Sequence, residues 1–229
     1  MEAEPRRVLV YGDSLTFGAV PVERVIPTTR YPRDQRWTGV LGAQLGPGYE
    51  IVEEGLGGRT TDVDDPLDPV RLNGAAHLPT ILASHIPLDL VVIMLGTNDF
   101  KWYFHREPED IALGVGRLID ICASSDRIVG TLYPAPQVLL VAPPPLGDIT
   151  NPWAARLFEG GLEKSRGYAQ ALRDLASFLG IRMVDAGEFF TTDGADGIHF
   201  TAENNLALGK AVAAAVREIL PVREALPVP

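Results

Sequence analysis

The chain has 229 residues, 46% of them hydrophobic and 22% charged, enough apolar material to bury one sizeable core and too much for a disordered chain. Its 20 basic and 30 acidic residues leave a net charge of −10 with no basic run, which argues against nucleic acid or an anionic membrane surface as a partner. The single cysteine, Cys122, allows no internal disulfide, and Met1–Arg7 carries no signal-peptide pattern, so the expected setting is cytoplasmic.

Five apolar runs read as strands: Val8–Tyr11, Glu50–Glu53, Leu88–Leu95, Val138–Ala142 and Arg182–Val184. The third and fourth are nearly all apolar, the signature of strands covered on both faces. Its longest apolar stretch, Leu90–Leu95, is far too short to span a bilayer. Helical stripes lie between the strands. They run through Trp37, Val40, Leu41 and Leu45, then through Ile111, Val115, Leu118, Ile119 and Cys122. A longer one covers Leu162–Leu179, and the last carries Leu208, Val212, Val216 and Ile219, with Thr201 as its expected N-cap. Three proline-bearing stretches, Ala19–Gln35, Asp62–Pro79 and Pro143–Trp153, read as long loops.

The alternation of strand and helix predicts an α/β fold: a three-layer, doubly wound parallel sheet of about five strands in a single domain. That domain spans residues 1–220, followed by a proline-containing tail, 221–229, expected to leave it or to dock on a neighbouring subunit. In such sheets ligands bind beyond the carboxyl ends of the strands, where strand order reverses.

Four stretches fall at those ends. Gly12-Asp13-Ser14-Leu15 follows the first strand and sets a serine near a helix N-terminus. Gly55-Leu56-Gly57-Gly58-Arg59-Thr60 follows the second. It has Thr60 where a dinucleotide fingerprint needs its last glycine, and it follows the wrong strand for one, so it reads either as a plain turn or as a loop offering backbone N–H groups. Gly96-Thr97-Asn98-Asp99 follows the most apolar strand; Asn98 either caps its own loop or turns its amide into the crevice. Asp196-Gly197-Ile198-His199 precedes the last helix, with a spacing that lets a carboxylate meet an imidazole, a base suited to neutral pH. Asp193 is the rival carboxylate. His77, His85 and His105 show no ligand spacing, so no metal or other cofactor is expected.

Taken together, these four blocks resemble those of the SGNH, or GDSL-type, hydrolases from Val8 to about Leu220, with Gly58 on the glycine of the second block. The resemblance implies a flavodoxin-like sheet and a serine esterase. Ser14 would be the nucleophile, His199 the base and Asp196 its orienting carboxylate. The N–H groups of Ser14 and Gly58 and the side chain of Asn98 would form the oxyanion hole. Asp13, Leu15, Phe17, Gly57, Thr97 and Ile198 would flank the substrate. Stretches such as Arg36-Trp37-Thr38-Gly39, Arg71-Leu72-Asn73-Gly74 and Phe158-Glu159-Gly160-Gly161 are most similar to the bacterial arylesterase and acyltransferase branch. That branch implies a homo-oligomer acting on small esters, with water, an alcohol or peroxide accepting a short acyl group. Gly57-Gly58 and Phe17 stand where relatives carry bulkier residues, implying a wider acyl pocket.

Two further readings differ in class or substrate. One keeps the same residues but makes the protein a carbohydrate O-deacetylase or a thioesterase. The other is a non-catalytic flavodoxin-like binding module, against which stands the lack of a Gly-x-x-x-x-Gly-Lys-Ser/Thr run.

Overall fold

A computed structural model describes residues 4–127 and 131–223. Five strands form one parallel sheet: β1 (Arg6–Gly12), β2 (Tyr49–Gly55), β3 (Leu90–Met94), β4 (Gln137–Ala142) and β5 (Arg182–Asp185), in the order β2-β1-β3-β4-β5. Seven α-helices occur among the described residues: α1 (Ser14–Phe17), α2 (Trp37–Leu45), α3 (Gly74–His85), α4 (Pro108–Ala123), α5 (Pro152–Leu157), α6 (Gly161–Leu179) and α7 (Ala202–Ile219).

The strand residues alternate between two cores. Leu9, Tyr11, Val91 and Ile93 pack against α3, α4 and α6 on one face. Val8, Val10, Val92 and Val141 pack against α2 and α7 on the other. A strand covered on both faces must be apolar at every position, which is why Leu90–Met94 shows no period of two. Cys122 lies buried in the first core, and burial pushes its thiol up to about 12, so it is inert.

The expected loop Asp62–Pro79 is a loop only in its first part. Asn73-Gly74 reads as a turn, but the Asn73 side chain accepts from the Ala76 N–H and starts α3. Pro79 sits inside that helix, where it forfeits one hydrogen bond while Leu78 and Leu82 are buried. Pro152, likewise placed in a loop, is the first residue of α5, where a proline costs nothing because the N–H it lacks would be unpaired anyway. Thr201 caps α7 as expected.

The Pro221 carbonyl accepts from Arg6, Arg223 pairs with Asp89 at 2.8 Å, and so Pro221–Arg223 stays on its own domain. The rest of the tail lies outside the described residues. Among the described residues no helix is long and apolar enough to cross a membrane.

Candidate active site

The chain runs from β1 outward to β2, then returns to add β3, β4 and β5 on the other side, so strand order reverses between β1 and β3. Ser14 follows β1 and Asn98 follows β3, which puts both at this reversal. The long segment after β5 curls back and carries Asp196 and His199 to the same edge. Asp196 is fully buried, His199 is 5% exposed and Ser14 is half-buried.

A continuous hydrogen-bonded chain joins the three. His199 Nδ1 lies 2.7 Å from Asp196 Oδ2, and His199 Nε2 lies 3.0 Å from Ser14 Oγ. Asp196 is held from several sides. Its Oδ1 accepts from the Ile198 and His199 N–H groups at 2.9 and 2.8 Å, and Oδ2 also accepts from the Val22 N–H at 3.3 Å. Burial works to raise the Asp196 pKa, but the bonds and charge of His199, with the backbone N–H donors, outweigh it and the net shift is downward. The carboxylate therefore stays ionised beside the imidazole. The rival, Asp193, instead accepts from Thr201 and Asn204 at the start of α7.

The Asp–His turn needs little else than its own four residues, but the Val22 contact is supplied by the loop after β1. Beside that contact opens a cleft of about 1050 Å³, lined by Pro21, Val22, Glu23, Arg24, Asn151 and Ala195.

Next to Ser14, the backbone N–H groups of Ser14 and Gly58 make no hydrogen bond among the described residues. Gly58 has φ +81°, and a Cβ there would stand 2.8 Å from Leu72 Cδ1, so only glycine is unstrained at this turn. Both hydrogens of Asn98 Nδ2 already face acceptors in the protein, the Arg59 carbonyl at 3.1 Å and Asp13 Oδ2 at 3.3 Å.

The expected flanking residues divide. Gly57 is exposed beside Ser14: a Cβ built there would lie 3.9 Å from Ser14 Cβ. Thr97 and Ile198 are buried at the site edge, Ile198 within the first core. Phe17 is half-buried with the Arg30 guanidinium over its ring at 4.5 Å. Leu15 lies in the second core with Trp37 and is 4% exposed. Asp13 is 1% exposed, and its oxygens accept from the Leu15 N–H at 2.9 Å and from Asn98 at 3.3 Å.

Three charged residues beneath the site were not singled out from the sequence. The buried Arg59 guanidinium donates to the carbonyls of Gly12, at 2.8 Å, and Glu54, and lies 4.1 Å from the centre of the Tyr11 ring. It ties together the carboxyl ends of β1 and β2. Asp99 is fully buried, accepts from Thr61 Oγ1 at 2.6 Å and pairs with Arg106 at 3.0 Å. Arg106 also pairs with Asp62 at 2.6 Å. This network fastens the glycine loop to the Asn98 turn. An arginine inside a glycine-rich loop, as in Gly58-Arg59-Thr60, is the one sequence signal that pointed there.

Comparison with known proteins places the fold in a family. The profile of the GDSL-like lipase/acylhydrolase family matches residues 10–205. The inhibitor-bound structure of M. smegmatis aryl esterase is 55% identical with a TM-score of 0.92, covering 94% of this chain and 100% of that one. Est24, a carbohydrate acetylesterase from Sinorhizobium meliloti, is 53% identical with a TM-score of 0.92 over the same shares. A member of the lipolytic G-D-S-L family from Veillonella parvula, at 13% identity and a TM-score of 0.64, shares the fold. A search of curated proteins finds no match. The chain belongs to the GDSL-like lipase/acylhydrolase family, the SGNH hydrolases, and is a carboxylic ester hydrolase of that family.

Proposed function

We propose that the protein is a serine esterase for small, short-acyl aryl or alkyl esters, working through an acyl-enzyme and able to pass the acyl group to alcohols, or to peroxide, as well as to water. The observation that carries this reading is the Asp196–His199–Ser14 chain, with bonds of 2.7 and 3.0 Å. Ser14 Oγ attacks the ester carbonyl while His199 Nε2 takes its proton. Asp196 keeps Nδ1 protonated and favours the imidazolium that forms. The negative oxygen of the tetrahedral intermediate meets the Ser14 and Gly58 N–H groups, which have no other partner among the described residues, and an N–H of Asn98. His199 then protonates the leaving alkoxide, leaving acyl-Ser14. Water, an alcohol or peroxide, deprotonated by His199, attacks the acyl carbon and releases Ser14.

The open edge of Gly57, with no side chain over Ser14, supports access by more than one acceptor. A panel of p-nitrophenyl esters run with and without added alcohol tests this, with Ser14→Ala as control. Ester product that grows with alcohol at the expense of free acid is expected; free acid alone would remove the transfer activity. The likeness to Est24 favours a second reading, deacetylation of acetylated sugars by the same residues. Higher kcat/KM on acetylated sugars than on aryl acetates would select it. Exposed Ile26, Leu67, Trp102 and Trp153 support self-association, for which a sedimentation mass of several chains is expected and a monomer mass would exclude it.

A further inference from the structure

Asp13 lies next to the nucleophile yet outside the Ser14–His199–Asp196 chain. Its two oxygens face different tasks. Oδ1 accepts from the Leu15 N–H at 2.9 Å and caps α1. Oδ2 lies 3.3 Å from Asn98 Nδ2. An asparagine amide can present either its nitrogen or its oxygen to a given point, and only its neighbours decide which. Here both neighbours are acceptors: the Asp13 carboxylate and the Arg59 carbonyl, the latter at 3.1 Å. With the amide turned over, its oxygen would face two acceptors at once. Of the two bonds, the one to Asp13 is the longer and the more easily exchanged.

We propose that Asp13 is a positioning residue that fixes the amide of Asn98 with its nitrogen toward the crevice and holds one N–H in reserve until the oxyanion develops and takes it. The proposal rests on the reading of Asn98 as an oxyanion donor. It separates Asp13 from the substrate contacts and assigns it a role through Asn98. Two rival roles exist on the same geometry: the cap of α1, and the negative charge of Asp13 acting on His199.

Asp13→Asn distinguishes them. The new side chain keeps an oxygen for the Leu15 N–H, and asparagine caps helices as well as aspartate does. Toward Asn98 it offers an NH2 group, donor against donor. For p-nitrophenyl acetate, kcat is expected to fall roughly 10- to 100-fold with KM changed by less than about threefold. The deciding measurement is the same substitution in an Asn98→Ala background, where a further loss of less than about twofold is expected. Asp13→Ser, which also caps but cannot reach Asn98, should repeat both results. Unchanged kcat in Asp13→Asn, with Asn98→Ala impaired, would overturn the proposal alone. An equal loss in both backgrounds would place the effect on His199 or on the cap, and would overturn it too. Wild-type turnover by Asn98→Ala would instead remove the oxyanion reading on which it stands.

Discussion

Asp196 Oδ2 accepts at once from His199 Nδ1, at 2.7 Å, and from the Val22 N–H, at 3.3 Å, so the carboxylate that orients the imidazole is itself held by the loop following β1. Replacing Asp196 with Asn keeps the shape but offers His199 an amide whose nitrogen cannot accept. The imidazole then loses its preferred tautomer. A fall in kcat of about 10³- to 10⁴-fold with little change in melting temperature is expected, by analogy with other Ser-His-Asp sites. Activity within tenfold of wild type would show that His199 is oriented by something else.

On the proposed mechanism Asn98→Ala removes an oxyanion donor, and it leaves Asp13 and Arg59 without that partner. A single such donor is typically worth about 3 kcal/mol, or roughly a hundredfold or more in kcat. The variant should fold, because Asn98 lies in the turn just after β3 and the substitution removes no apolar packing. Circular dichroism and p-nitrophenyl acetate turnover check the two halves of this statement.

Gly57 has ordinary backbone, is exposed and stands beside Ser14, so a side chain there extends over the nucleophile with no cost to the fold. Gly57→Val should lower kcat/KM for p-nitrophenyl butyrate about tenfold more than for the acetate, since crowding by a methyl-sized group is worth about 1–3 kcal/mol. An unchanged butyrate-to-acetate ratio would place the acyl chain elsewhere.

Arg106 is the cation facing buried Asp99, and its removal leaves that carboxylate with Thr61 alone. Breaking a buried pair by deleting one partner costs about 3–5 kcal/mol. For a chain of this length that is a drop in melting temperature of roughly 10 °C. A shift under about 2 °C for Arg106→Ala would show that the pair contributes little.

Asp13 and Asp99 are both pushed up to about 6, burial being the largest cause in each, only partly offset by backbone N–H donors and nearby cations. A carboxyl with a higher pKa folded than unfolded binds protons more tightly when folded. Its contribution is fully present below about pH 4 and is lost as pH rises through about 6. Two units correspond to on the order of 3 kcal/mol per group at most. Denaturant titrations at pH 4.5 and 7 should therefore show a smaller stability difference for Asp13→Asn than for wild type. Equal differences would mean that Asp13 ionises at the same pH in both states.

The sheet was legible because strands buried on both faces must be apolar throughout, as in Leu90–Met94 and Val138–Ala142. The blocks that meet at the sheet edge were legible for a related reason: Ser14, Asn98 and the Asp196–His199 turn each follow or precede a regular element whose end the sequence marks. Helix α3 was missed because Asn73-Gly74 is a turn signal in isolation and Pro79 a breaker, whereas burial of Leu78 and Leu82 decides the matter in the folded chain. The Asp99–Thr61–Arg106 network joins loops far apart in sequence, and no local pattern encodes such a contact. The capping role of Asp13 was not read either: on a one-turn helix the residue before it is the cap, and no periodic pattern marks so short an element.

The account stands on Ser14 being activated by His199, and labelling with a fluorophosphonate probe reads that directly. Intact-mass measurement should show one adduct per chain on the wild type, none on Ser14→Ala and labelling at least a hundredfold slower on His199→Ala. A wild-type chain that stays unlabelled, or a Ser14→Ala chain that labels at the wild-type rate, would contradict it.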